Sequence, residues 1–161
     1  MNDTRTKQPA AVGGIVLLTR VILGGLFIFA AVMKLSSPAS FAMAIAAFKI
    51  IPDHAEHLTR LAAYAVPWVE ALCGVCLVLG LWARSAALVL AVLLCGFIAM
   101  IASTMLRGMD VSCSCFGKFE IPCTGPVGWC HIARNGVLLL LAALVVSKGP
   151  GSLAIDREST R

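Results

Sequence analysis

Apolar residues along this chain run in long stretches rather than alternating with polar ones. Four stretches approach the roughly 20 residues that a helix needs to cross a bilayer. The first, Val12 to Met33, is interrupted only by Thr19 and Arg20. The second extends from about Leu61 to Trp82 and contains Pro67 and Glu70. The third, Ala86 to Leu106, carries no charge. The fourth, about Trp129 to Val146, opens with His131, Arg134 and Asn135, so its cleanly apolar part is only Gly136 to Val146. The pattern predicts an all-α integral membrane four-helix bundle with a short interfacial helix and a Cys-rich extracytoplasmic loop.

The connections sharpen this picture. Ala83-Arg84-Ser85 reads as a tight turn, which makes the second and third helices antiparallel neighbours. Between the first two spans, Phe41 to Ile51 is apolar but too short to cross, and Pro38 and Pro52 bracket it. It is expected to lie along the membrane surface. Arg107 to Gly128 is rich in Gly, Pro and Cys and reads as an ordered loop. Residues 1–11 are polar, and 12–33 is too long for a signal h-region of roughly 7–15 residues, so it is expected to stay as the first span of a transmembrane domain covering 12–147. Residues 148–161 read as a disordered tail.

Composition agrees. Apolar residues make up 60% and charged residues 13%, against about 25% charged in soluble domains, and the mean hydropathy is +0.93. The net charge of +5 collects at the ends of apolar runs, where it suits interfacial anchoring in a lipid bilayer. No basic stripe interleaved with aromatics and no phosphate-cradling glycine loop is present, which argues against nucleic acid as a partner. With four spans, Lys and Arg divide six against six between the two sides. Arg20 tips the count towards termini in the cytoplasm.

Seven cysteines then change the question from architecture to chemistry. Cys95, alone in an apolar helix, reads as a small hydrophobe. Cys73 and Cys76 are three apart and share a helix face; they are either packing residues or a thiol pair able to meet a ligand or a quinone. Cys113-Ser-Cys115-Phe116-Gly117 lies in the polar loop, where packing offers a cysteine little. A Cys-x-Cys disulfide closes a very small ring, and strained, exposed disulfides are the exchangeable ones. A metal-binding thiolate pair, joined by Cys123, Cys130 or His131, and a purely structural disulfide stay open beside the redox reading. Disulfides persist outside the cytosol, which places this loop on the extracytoplasmic side.

Two ionisable residues fall inside spans, Arg20 and Glu70, and such residues are functional candidates by default. Glu70 is expected either to pair with Lys34 or Arg134 and fix helix packing, or to handle protons or a quinone. It stands three residues before Cys73, from where a carboxylate can accept a thiol proton.

Arg20-Val-Ile-Leu-Gly-Gly-Leu-Phe, Lys34-Leu35 and Pro67-Trp68-Val69-Glu70 together resemble the DoxX-like membrane proteins. Cys113-Ser-Cys115-Phe116-Gly117, Gly128-Trp129 and Arg134-Asn135 narrow the resemblance to the MauE branch, over about residues 14 to 146. The resemblance implies a four-helix protein of the bacterial inner membrane that assists the maturation of periplasmic methylamine dehydrogenase, whose small subunit carries many disulfides and a tryptophan-derived quinone. Where this chain has Cys73 and Cys76, the family that it resembles usually has apolar or glycine residues.

The expected function is therefore that of a membrane thiol-disulfide accessory protein serving a periplasmic client, with methylamine dehydrogenase the expected one. Cys113 and Cys115 exchange with the client or a thioredoxin-like carrier, and Cys73 and Cys76 pass electrons to a membrane quinone, as in four-helix disulfide oxidases. Glu70, Lys34, Arg134, Phe116 and Gly117 support them, and Cys123 and Cys130 are secondary cysteines. No metal and no tightly bound cofactor is assigned. The rival readings are a carrier of a soft metal such as mercury or copper, and a non-catalytic membrane assembly factor.

Overall fold

The computed structural model describes residues 10–49, 56–109, 111, 123 and 127–149. Five helices follow in chain order: α1 (Ala10–Ser36), α2 (Pro38–Ala47), α3 (Glu56–Leu79), α4 (Ala83–Leu106) and α5 (Trp129–Lys148). All but α2 are long and apolar enough to cross a bilayer, so the chain is an all-α, multi-pass membrane protein. α1 packs chiefly on α3, and α4 on α5. Leu23, Phe27, Leu77, Leu90, Leu94, Leu138 and Val145 fill the centre. Large apolar side chains such as Leu18, Leu61, Trp68, Leu72, Val92 and Leu140 point outward, where lipid tails are as good a solvent as the core.

Where interior and lipid are equally apolar, close helix contact depends on small residues. Gly24 of α1 and Gly74 of α3 supply it reciprocally. A Cβ on Gly24 would lie 2.7 Å from the Gly74 carbonyl oxygen, and a Cβ on Gly74 would lie 2.9 Å from that of Gly24. The two backbones touch at this level.

The helix boundaries differ from the hydropathy reading in instructive ways. α3 begins at Glu56, ahead of Leu61, because its first turn is polar yet helical. Glu56 sits where the helix dipole favours an acid, and Arg60 donates to it at 2.8 Å. The turn between α3 and α4 is Gly80-Leu81-Trp82 rather than Ala83-Arg84-Ser85, which forms the first turn of α4. Gly80 adopts φ +74°, a conformation cheap only for glycine. The Leu81 N–H then reaches back to the Cys76 carbonyl at 2.9 Å, closing the helix end as C-terminal glycine motifs do. The antiparallel pairing of these helices stands.

α2 starts with Pro38 in its first turn, where a missing N–H costs nothing, and buries Phe41 and Phe48. Arg107, at the end of α4, donates to the carbonyls of Phe48 at 3.3 Å and Lys49 at 3.4 Å. This contact fixes the end of α2 against the bundle. The N-terminal segment and the tail after Gly149, for which the sequence suggests cytoplasmic placement and disorder, lie outside the described residues.

Candidate functional site

Thr59, Ala63, Pro67, Glu70, Gly74 and Leu77 form the buried stripe of α3. Glu70 is the one charge on it, 1% exposed, and Lys34 near the end of α1 is 3% exposed. The Lys34 ammonium donates to both oxygens of the Glu70 carboxylate, at 2.6 and 2.7 Å. It also lies 5.1 Å from the ring centroids of Phe41 on α2 and Phe97 on α4. Three groups from three helices thus surround the one positive charge that α1 supplies, and the negative faces of two rings add to the carboxylate. Of the partners expected for Glu70, the structure selects Lys34. Arg134 is half-buried on α5, beside Asn135.

Asn135 and His131 are buried on the same helix. The Asn135 amide donates to the His131 carbonyl at 2.8 Å. The His131 Nδ1 accepts the Gly128 backbone N–H at 3.4 Å, half of a capping box at the start of α5. Polar residues that weaken the hydropathy of the fourth span are therefore folded inward. A cavity of about 20 Å³ lies between Lys34, Glu70, Phe97 and Asn135, room for about one water.

Next to this cluster the loop is tied down. Cys123 and Cys130 form a disulfide with Cα atoms 5.8 Å apart, and the Val127 N–H bonds the Val111 carbonyl at 2.8 Å. The pairing of Cys123 with Cys130 is new information beyond the sequence. It removes both sulfurs from the thiolate set that a metal site here would require in this state. Among the described residues, no three His, Cys, Asp or Glu side chains converge as metal ligands. Cys113, Cys115, Phe116 and Gly117 lie outside the described residues.

Cys73 and Cys76 are free and half-buried, and Cys95 is free and exposed. The first two pack against the central core cluster. They stand near the Gly80 end of α3, away from the loop. Counting 1.5 Å per residue along antiparallel α3 and α4, Cys73 lies about 25 Å below the level of Leu106, and Cys76 lower still. The Cys73–Cys76 pair and the Cys123–Cys130 disulfide thus lie at different depths of the bundle. Arg20, 1% exposed, lies at the same end as Cys76. Its guanidinium packs against Gly80 so tightly that a Cβ there would be 2.6 Å from it.

Sequence spacing alone could not supply Phe41, Phe97 or the Gly24–Gly74 contact, nor the place of Asn135 beside the ion pair. Phe97, Asn135, Gly24 and Gly74 each lie close in sequence to a charge or a cysteine on their own helix, a pattern too common to be selective, and Phe41 on the uncharged α2 has not even that signal.

The fold and this site define a class: a multi-pass four-helix membrane protein organised around an intramembrane Lys–Glu pair, with a disulfide-anchored loop at one end and free thiols towards the other. Residues 12–148 match the family described as methylamine utilisation protein MauE, and the chain belongs to that family. A curated relative, methylamine utilization protein MauE of Paracoccus denitrificans, is 35% identical over 135 residues, covering 83% of this chain and 69% of the relative. No solved structure matches the chain.

Proposed function

We propose that this protein acts in methylamine utilisation as a membrane accessory factor that helps a periplasmic client form its disulfides, the client being methylamine dehydrogenase. The observation that carries this is the Cys123–Cys130 disulfide, which staples the loop bearing Cys113 and Cys115 to the start of α5. A structural disulfide at this end suits an oxidising compartment, and so supports a periplasmic loop with the termini in the cytoplasm of an inner-membrane protein. In the proposed step, a Cys113–Cys115 disulfide accepts two electrons from a client dithiol. A client disulfide forms, and Cys113 and Cys115 are left as thiols. A membrane quinone or a thioredoxin-like carrier takes the two electrons and two protons and restores the loop disulfide. Phe116 and Gly117 follow the pair in sequence and belong to the same exchange surface. Lys34 and Glu70, with Arg134 nearby, give that end of the bundle a fixed frame.

The test is Cys113→Ser in cells that depend on the client, with Cys95→Ser as the control. Loss of client disulfides in the first and not the second is the expected result. A full complement of client disulfides in Cys113→Ser cells would refute the assignment.

A further inference from the structure

The second cysteine pair has chemistry of its own. On a regular helix, residues three apart hold their Cβ atoms roughly 5–6 Å from each other. A disulfide needs them at roughly 3.5–4.5 Å. Cys73 and Cys76 are free in the structure, so closing them would require α3 to bend or rewind between them. Gly74, inside the pair, packs so closely on α1 that a Cβ there would lie 2.8 Å from the Ile28 side chain and 2.9 Å from the Gly24 carbonyl oxygen. The helix is clamped at the point where a disulfide would distort it.

The same separation suits two sulfurs placed on either side of one soft ion. Thiolates select soft cations, and a d10 cation such as Cu(I) accepts two of them in a nearly straight line. Both side chains are half-buried, and each has the core on one side. Cys76 is three residues from the end of α3 at Leu79, about one turn below the interface, so an ion and the displaced protons have a short path to water. Two thiolates around Cu(I) carry one net negative charge. The buried Arg20 guanidinium, against Gly80 one turn beyond Cys76, supplies a positive charge at that level.

We infer that Cys73 and Cys76 form an intramembrane two-sulfur site for Cu(I), distinct from the loop pair. On binding, both thiols lose their protons to water, two S–Cu bonds form, and the copper stays in its +1 state. The site is independent of the client-maturation reading, and either can fail without the other.

The experiment uses the full chain in detergent, reduced and anaerobic, titrated with Cu(I) against a chromogenic chelator. Cys113→Ser/Cys115→Ser/Cys123→Ser/Cys130→Ser removes the loop thiols together with the two that reduction of the Cys123–Cys130 disulfide would free, and helical content by circular dichroism confirms folding. This variant is expected to hold one copper against the chelator, with X-ray absorption showing two sulfur neighbours. Adding Cys73→Ser or Cys76→Ser should weaken retention at least 100-fold, whereas adding Cys95→Ser should not. Unchanged retention without Cys73 and Cys76 would overturn the inference. So would rapid loss of two thiols from the loop-free variant when a soluble quinone is added, since that would make the pair a disulfide former.

Discussion

Replacing Lys34 and Glu70 singly and together measures what the buried pair contributes. Removing one partner of a buried ion pair leaves the other charge without compensation, at a cost of about 3–5 kcal/mol. Lys34→Met removes the ammonium that donates to both oxygens of the Glu70 carboxylate and strands that charge between α1 and α3. Glu70→Leu leaves the ammonium between Phe41 and Phe97, whose ring faces return about 0.5–2 kcal/mol. The Glu70 variant should therefore be the milder one. Were the two effects independent, the double variant would lose roughly 6–10 kcal/mol, enough to unfold most domains. An apolar pair of similar volume instead removes both charges at once, and the double variant should fall within about 1 kcal/mol of the parent. Unfolding in mixed micelles, followed by the fluorescence of Trp68, Trp82 and Trp129, gives all four corners of the cycle. A double variant that loses as much as the sum of the singles would refute the pairing. A double variant that folds as well as the parent but no longer matures the client would show that the charges act on the client's chemistry and do not merely hold the helices together.

Three further outcomes follow from specific contacts. Gly74→Ala places a methyl group 2.9 Å from a backbone oxygen of α1 and should cost about 1–3 kcal/mol by forcing the helices apart, read as a lower melting temperature in detergent. Gly80→Ala adds a side chain at φ +74° and should cost about 1–2 kcal/mol; most of that loss should persist when Arg20 is also shortened, because the backbone angle and not the guanidinium contact dominates. Cys123→Ser opens a ring with a sequence separation of 7 and should cost about 2–3 kcal/mol; faster proteolysis between residues 111 and 127, with the helices intact, is the expected signature.

The spans were legible because a hydrocarbon solvent imposes long, uncharged runs, and no soluble alternative fits such a composition. Their ends were not, because Glu56 to Arg60 belongs to α3 yet leaves the hydropathy pattern, and because the turn is decided by the backbone freedom of Gly80 rather than by polarity. Glu70 was visible as an intramembrane acid, and its two possible cations could be named. Choosing between them required the helix arrangement, in which α1 and α3 are in backbone contact and Lys34 reaches along that seam. His131 and Asn135 weakened the fourth span in sequence for the same reason that they matter in the structure: they face the bundle and not the lipid.

The cysteines divide by position rather than by motif. Cys-x-Cys and Cys-x-x-Cys invite one explanation, a relay of electrons from loop to helix, and the spacing within each pair does nothing to exclude it. Helical rise sets the scale, since two antiparallel helices joined at Gly80–Trp82 put Cys73 about 25 Å from the level of Leu106 at the far end of α4. The clamp at Gly24 and Gly74 resists the backbone change that a disulfide at Cys73 and Cys76 requires, whereas Cys123 and Cys130, at the junction of loop and α5, have closed. Among the described cysteines, the pair at the loop-to-helix junction is joined by a disulfide and the pair inside α3 stays free, and two free sulfurs on one helix face are better suited to sharing an ion.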